Sequence, residues 1–210
     1  MTALSKTRIV ERIKLKELIV SPLLPDQLGR SSIDLRMGTV VLVARAGAQS
    51  HVDPCAYRHE SIKDDDHDII QGRKQKHERY DIPFNESFLL HPGSLALVPT
   101  FEWVILPSDL QGIVTARSSW AREGLNIATA TIINPGYMGI ITLELANFGE
   151  IPIKLYPGLR LAQIAFYNID KGDGDNNYGS DGDGSEFNMS FEPKAGKLVK
   201  SDWPFIPKND

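Results

Sequence analysis

Residues 117–122 read Arg-Ser-Ser-Trp-Ala-Arg, and further on Glu144 is the single charged side chain in the run GIITLELANF. These are residue types that bind anions and move protons. Guanidinium groups and hydroxyls pair with phosphate oxygens. Ser118 and Ser119 are good helix N-cap residues, so a short helix starting at about Trp120 would add free N–H groups. Arg117, Ser118 and Ser119 then make a phosphate cradle, although the same residues equally fit a capped surface helix with solvated arginines. Arg122 lies four residues after Ser118, so both can face the same side of one turn.

Alternation along the strand expected at 139–148 puts Ile141, Leu143 and Leu145 on one face and Ile140, Thr142, Glu144 and Ala146 on the other. Desolvation would raise the Glu144 pKa and a nearby guanidinium would lower it. A carboxyl group under both influences can take and give protons; a solvent-facing strand glutamate is the alternative. Upstream, Asn134-Pro135-Gly136-Tyr137 fits a type II turn, with Tyr137 free to pack on a ring or to sit half-buried in a hairpin. Gln163 alternates with Ile164 and Phe166, so it points away from them and offers an amide donor and acceptor to a base or phosphate, unless that face is simply polar.

The elements that must position these residues are mostly strands. Ile9, Val10, Ile13 and Leu18 have near-helical spacing and predict a short helix over Ser5–Leu18. SSIDLRMGTVVLVAR reads as a strand pair broken by Gly38. Residues 45–80 are rich in charge and predict a solvated surface excursion. From Tyr80 to Ile169 short β-rich runs alternate with Gly and Pro turns, two of them around His91-Pro92-Gly93, which predicts a sandwich or barrel. From Asp170 an acidic, Gly- and Asn-rich segment reads as a flexible arm, and Trp203 and Phe205 near its end are expected to dock on the body or a neighbouring subunit.

Composition sets the outer bounds. The chain has 210 residues, 41% of them hydrophobic and 24% charged, which suits one globular domain over 1–210. A net charge of -4 implies no general attraction to nucleic acid, so an anion site must be built locally. Cys55 is the single cysteine, which excludes an intrachain disulfide and fits a reducing compartment. The N-terminus is charged where a signal peptide needs an apolar run, and no run is long and apolar enough to predict a transmembrane helix. The expectation is a cytoplasmic protein with no membrane partner. Asp173, Asp175 and Asn177 match the first positions of a calcium loop, but Tyr178 stands where the turn glycine belongs. The five histidines show no metal-ligand spacing.

Taken in order, SSIDLRMG, HPGSLALVPTFEWVILPSDLQGIVTARSSWAREGL and NPGYMGIITLELANFGEIPIKLYPGLRLAQIAF resemble the dCTP deaminase family of the dUTPase-like superfamily, over roughly residues 19–169. The resemblance implies a mainly β, distorted barrel or jelly-roll-like fold with a short N-terminal helix and a flexible C-terminal arm. It implies a homotrimer with sites at subunit interfaces, and a deoxynucleotide triphosphate as ligand. It assigns phosphate binding to Arg117, Ser118 and Ser119, places Arg122 near the cytosine ring and the attacking water, and makes Glu144 the catalytic acid/base. Ser118 helps hold the water, and Asn134, Tyr137 and Gln163 complete the expected substrate-binding set. The implied reaction turns dCTP into dUTP and ammonia, with Mg2+ riding on the triphosphate. Zinc is not expected, because the zinc deaminases need an H-x-E and P-C-x-x-C pattern that this chain lacks.

Three departures shape the expectation. Asn134 stands where dUTPases and bifunctional members carry an aspartate base, which predicts weak or absent dUTP hydrolysis. NIATATIINPG is one residue shorter than in the deaminases, which bears on base selection by Ala130 and Thr131. In the arm, Glu186 falls where the family has a lysine and Ser190 near its glutamine, and a carboxylate there repels a triphosphate. The alternatives are therefore a catalytically inactive or regulatory nucleotide-binding protein and, disfavoured by Asn134, a dUTPase-type pyrophosphatase.

Overall fold

The computed structural model describes residues 2–44, 77–127, 131–169 and 189–193. The chain enters through strand β1 (Thr2–Ala3) and helix α1 (Lys6–Lys14). The helix is shorter than the spacing predicts. Leu15 bonds back to the Glu11 carbonyl, Lys16 then turns to φ 58, and Leu18 reaches the core from outside the helical path. Ile9 buries the inner face of α1, and Arg12 donates to Asp109 at 2.6 Å, tying the helix to a distant loop.

Two open antiparallel sheets share one hydrophobic cluster. The first runs β1, β13 (Arg160–Asn168), β8 (Leu110–Ala116), β10 (Ile132–Ile133), with β3 (Ser32–Arg36) also paired to β13. The second runs β5 (His77–Asp81), β4 (Val40–Ala44), β7 (Leu95–Ile105), β11 (Met138–Asn147), β9 (Leu125–Ile127), with β2 (Ile19–Ser21) on β7. A ribbon of β6 (Phe88–Leu90) and β12 (Ile153–Leu155) and a five-residue helix, α2 (Ser118–Arg122), complete the described elements. Ile33, Leu35, Val114, Ile164 and Phe166 from the first sheet meet Val41, Val98, Leu143 and Leu145 from the second in that cluster.

Two expectations are corrected here. The strands on either side of Gly38 exist but do not pair with each other. β3 joins β13 while β4 joins β5 and β7, because at Gly38 the chain crosses between sheets, bonding to the Pro99 carbonyl at 2.8 Å. The charged stretch 45–80 also ends in structure: His77–Asp81 is strand β5, in register with Val40–Ala44. It lies at a sheet edge, where charged side chains are tolerated and discourage further pairing, so no hydrophobic alternation announces it. Residues 45–76, the possible calcium loop, Glu186, Trp203 and Phe205 lie outside the described residues.

A bulge in β7 has a structural consequence. The register slips opposite Ile141, where Ile140 faces Trp103 but Thr142 faces Pro99. Thr100 closes the gap, accepting the Ile141 N–H at 2.9 Å and donating to the Glu102 carbonyl at 2.8 Å. Glu102 is 0% exposed. Its carboxylate accepts from Arg36 Nε at 2.6 Å, Arg36 N at 2.8 Å and Gln27 Nε2 at 2.7 Å. Gln27 Nε2 also donates to the Asp34 carbonyl at 3.0 Å, so this buried group holds the loop before β3 and β3 itself.

Part of the C-terminal arm lies on the body. Met189 N–H donates to the Met138 carbonyl at 2.6 Å and Ile140 N–H to the Ser190 carbonyl at 3.2 Å. The Phe191 ring sits 4.5 Å from Trp103, and Arg79 donates to both Glu192 oxygens, at 2.8 and 3.2 Å. Those bonds hold the Glu192 pKa below its ordinary 4.5. A carboxyl group whose folded pKa is depressed contributes stability above its unfolded value and loses it as pH falls through the folded one. Hydrogen-exchange protection of the Ile140 amide, corrected for intrinsic rate, is therefore expected to be flat from neutral pH to about 4.5 and to fall below it. In Glu192→Gln the step should disappear. An identical pH profile in both proteins would remove Glu192 from the docking.

Candidate functional site

The end of β8 turns into α2 beside the start of β13. Arg117 N–H donates to the Leu161 carbonyl at 2.9 Å, and the Arg117 carbonyl accepts from Trp120 at 3.0 Å and Ala121 at 3.1 Å. Arg117 therefore occupies the N-cap position, and the helix starts at Ser118 rather than Trp120. Neither serine caps it: no side-chain cap hydrogen bond is present, and both Ser118 and Ser119 are exposed. With only five residues, α2 has little summed dipole, so charge in this region comes from side chains.

An open groove of about 400 Å3 lies here, lined by Arg117, Ser119, Trp120, Glu123, Leu159 and Arg160. The Trp120 indole N–H donates to the Arg160 carbonyl at 2.9 Å, which fixes one wall. Asp34 stands next to both arginines, 3.5 Å from Arg117 Nε and 3.6 Å from Arg160 Nη1. Across the sheet Asp34, Gln163 and Thr115 form one row, since Gln163 pairs with Asp34 on β3 and Thr115 on β8. Gln163 accepts from Ser32 at 3.4 Å and donates to Thr115 at 3.3 Å. As its alternation with Ile164 and Phe166 predicts, it lies on the opposite face from those buried residues.

Helix α2 links the two sheets. Its N-terminal side is bound to β13, and beyond its C-terminal side Gly124 accepts from Phe148 N–H at 2.9 Å at the end of β11. Gly124 has φ 87, and a Cβ there would stand 2.6 Å from the Gly149 nitrogen, so only glycine permits this approach. From there β9 pairs with β11, Asn126 opposite Ala146. Arg122 is exposed in the last turn of α2. Glu144 is half-buried two residues before Ala146 on the same face of β11, opposite Leu97 of β7. Its neighbours along that face are half-buried Thr142 and buried Ala146, with buried Ile140 beyond Thr142, while Ile141, Leu143 and Leu145 form the core face as expected.

The turn before β11 has the geometry read from the sequence. Tyr137 N–H donates to the Asn134 carbonyl at 3.2 Å and Gly136 has φ 77, which is a type II turn. Asn134 is exposed. Tyr137 is 7% exposed, and its hydroxyl donates to the Ile140 carbonyl, so it belongs to the core. Thr131 is half-buried and its carbonyl accepts from Val114 at 2.8 Å; Ala130 lies outside the described residues. The groove thus gathers Arg117 and Ser119, with Gln163 on the adjoining sheet face. Its lining does not include Ser118, Arg122, Thr131, Asn134, Tyr137 or Glu144. Sequence reasoning missed Arg160, Asp34 and Trp120. The available signal was charge on strands that are otherwise apolar, in SIDLR and in PGLRL.

Among the described residues no group of three or more His, Cys, Asp or Glu side chains is placed to hold a metal ion, and no helix is long and apolar enough to cross a membrane.

This architecture is mainly β, two open antiparallel sheets over one core. A crystal structure of 2′-deoxycytidine 5′-triphosphate deaminase from Agrobacterium tumefaciens shares it, with a TM-score of 0.56 at 23% identity over 80% of this chain; the match spans 48% of that longer chain. The dCTP deaminase-like family matches residues 3–169. Among relatives, a "dCTP deaminase, dUMP-forming" of Nanoarchaeum equitans is 36% identical over 79% of this chain and 84% of its own. A "dCTP deaminase" of Haloarcula marismortui is 36% identical over 93% of this chain and 94% of its own. The chain belongs to the dCTP deaminase family.

Proposed function

We propose that this protein deaminates dCTP to dUTP with release of ammonia. The observation that carries the reading is the bridge made by α2: the cationic groove at Arg117 and Ser119 and the half-buried Glu144 lie on different sheets that this one helix connects. The triphosphate, carrying its Mg2+, binds Arg117, Ser118, Ser119 and Gln163. Glu144 takes a proton from a water held by Ser118, and the water oxygen bonds to C4 of cytosine. The proton passes to N3, a second moves from the new C4 hydroxyl through Glu144 to the exocyclic amine, and the C4–N bond breaks to give ammonia and a C4 carbonyl. Arg122 orients Glu144 and stabilises developing charge. Asn134 and Tyr137 shape the turn at the site, with Ala130 and Thr131 beside the base. The same reading includes a cytoplasmic homotrimer with sites at subunit interfaces, testable by light scattering, and one domain over 1–210. The first test is ammonia release from dCTP, CTP and dCMP with magnesium; silence on all three would overturn it.

A second reading has the product continue to dUMP, and the name of the Nanoarchaeum relative favours it. Against it stands Asn134, exposed at the first position of the turn, because an amide is no base at neutral pH. Asn134→Asp is expected to raise pyrophosphate release from dUTP at least about tenfold, in the range general-base assistance supplies, with ammonia release little changed. Wild-type protein that releases pyrophosphate as fast as ammonia would establish the second reading instead.

A further inference from the structure

We propose that Arg160 is a second phosphate-binding cation of the groove, and that Asp34 is the positioning residue that holds it beside Arg117 for a polyphosphate chain. The inference rests on the nucleotide reading above. Arg117 leaves the end of β8 and Arg160 opens β13, so the two guanidinium groups approach from different strands. One carboxylate meets both, Oδ1 with Arg117 at 3.5 Å and Oδ2 with Arg160 at 3.6 Å. These separations exceed good hydrogen-bond distances, so each guanidinium, with five N–H donors, keeps capacity for a ligand. The same Arg160 Nη1 is also held by Asp26, 3.1 Å from a carboxylate oxygen and 3.1 Å from the carbonyl.

Exposure decides which charge a ligand meets. The Arg117 and Arg160 side chains are 36% and 37% exposed, while Asp34 is 17% exposed; Asp26 is 67% exposed but, like Asp34, is not part of the groove lining. Both arginines line the groove and Asp34 does not. Glu123 lines it as well and opposes an anion, so the groove is not a general anion sink. Since one carboxylate already reaches both guanidinium groups, a single phosphate can bridge them, and each further phosphate of a chain adds negative charge for the two cations to attract. The groove therefore favours nucleoside triphosphates over monophosphates.

The test measures steady-state ammonia release from dCTP and dCMP, and the melting temperature with inorganic tripolyphosphate, for wild type, Arg160→Leu, Arg160→Lys and Asp34→Asn. Loss of a charge-assisted hydrogen bond predicts a rise in KM for dCTP of roughly tenfold or more in Arg160→Leu, with kcat little changed and the preference for dCTP over dCMP reduced. Arg160→Lys should recover part of the KM. Asp34→Asn should raise KM without lowering kcat, and tripolyphosphate should stabilise wild type more than Arg160→Leu. An unchanged KM in Arg160→Leu, or equal stabilisation of both proteins by tripolyphosphate, overturns the inference even if wild type is an active deaminase. Wild type without ammonia release, but stabilised by tripolyphosphate in an Arg160-dependent way, sustains it and removes the deaminase reading alone.

Discussion

Glu144→Gln is expected to lower ammonia release from dCTP by about three orders of magnitude while leaving nucleotide binding nearly intact, as suits loss of a general acid/base. Glutamine keeps the size of the side chain and one acceptor oxygen but cannot carry a proton between water, N3 and the leaving amine. Glu144 is half-buried on β11 between half-buried Thr142 and buried Ala146, and glutamine adds no bulk there, so folding should be preserved. Single-turnover ammonia assays with saturating dCTP, beside the thermal shift given by dCTP, separate the two effects. Turnover within tenfold of wild type would take the proton relay away from Glu144.

The largest effect on stability is expected at Glu102, which no functional reading uses. Glu102→Ala leaves the Arg36 guanidinium, 11% exposed, and the buried Gln27 amide without the carboxylate they share. Breaking a buried ion pair from one side costs about 3–5 kcal/mol, measurable by urea denaturation. The double change Glu102→Leu with Arg36→Met should be milder than Glu102→Ala, because it removes both charges and leaves no uncompensated ion. Arg36 also lies 5.0 Å over the Phe101 ring, so Arg36→Met retains part of that packing. A loss below about 1 kcal/mol in Glu102→Ala would mean that water replaces the carboxylate and that the network is not a structural anchor.

How much was legible in the sequence depended on the range of the interaction that decides each feature. Gly and Pro set backbone geometry locally, so the Asn134–Tyr137 turn and the strand limits around it were readable. Period-2 alternation is also local, and it correctly gave the core face of Ile141, Leu143 and Leu145 and the outward Gln163. The order of the Arg/Ser cluster, the turn and the Glu144 strand was enough to point to the family, because those residue types follow from chemistry done at one site.

Long-range pairing decided the rest. Whether β3 and β4 pair depends on competition from β13 and β7, more than fifty residues away in the chain, and no local pattern encodes that choice. β5 is a strand only because β4 offers it an edge, since its own residues, HERYD, look like solvated loop. Glu102 reads as one polar residue in a strand until the β7 bulge turns it toward Arg36 and Gln27. By itself the sequence determined which residues carry charge, which backbone positions turn and which faces are apolar, because these are properties of single residues and near neighbours. Only the tertiary structure decided that Arg117 and Arg160 share one carboxylate and that α2 spans the two sheets, because both depend on strands brought together by burial of the common core.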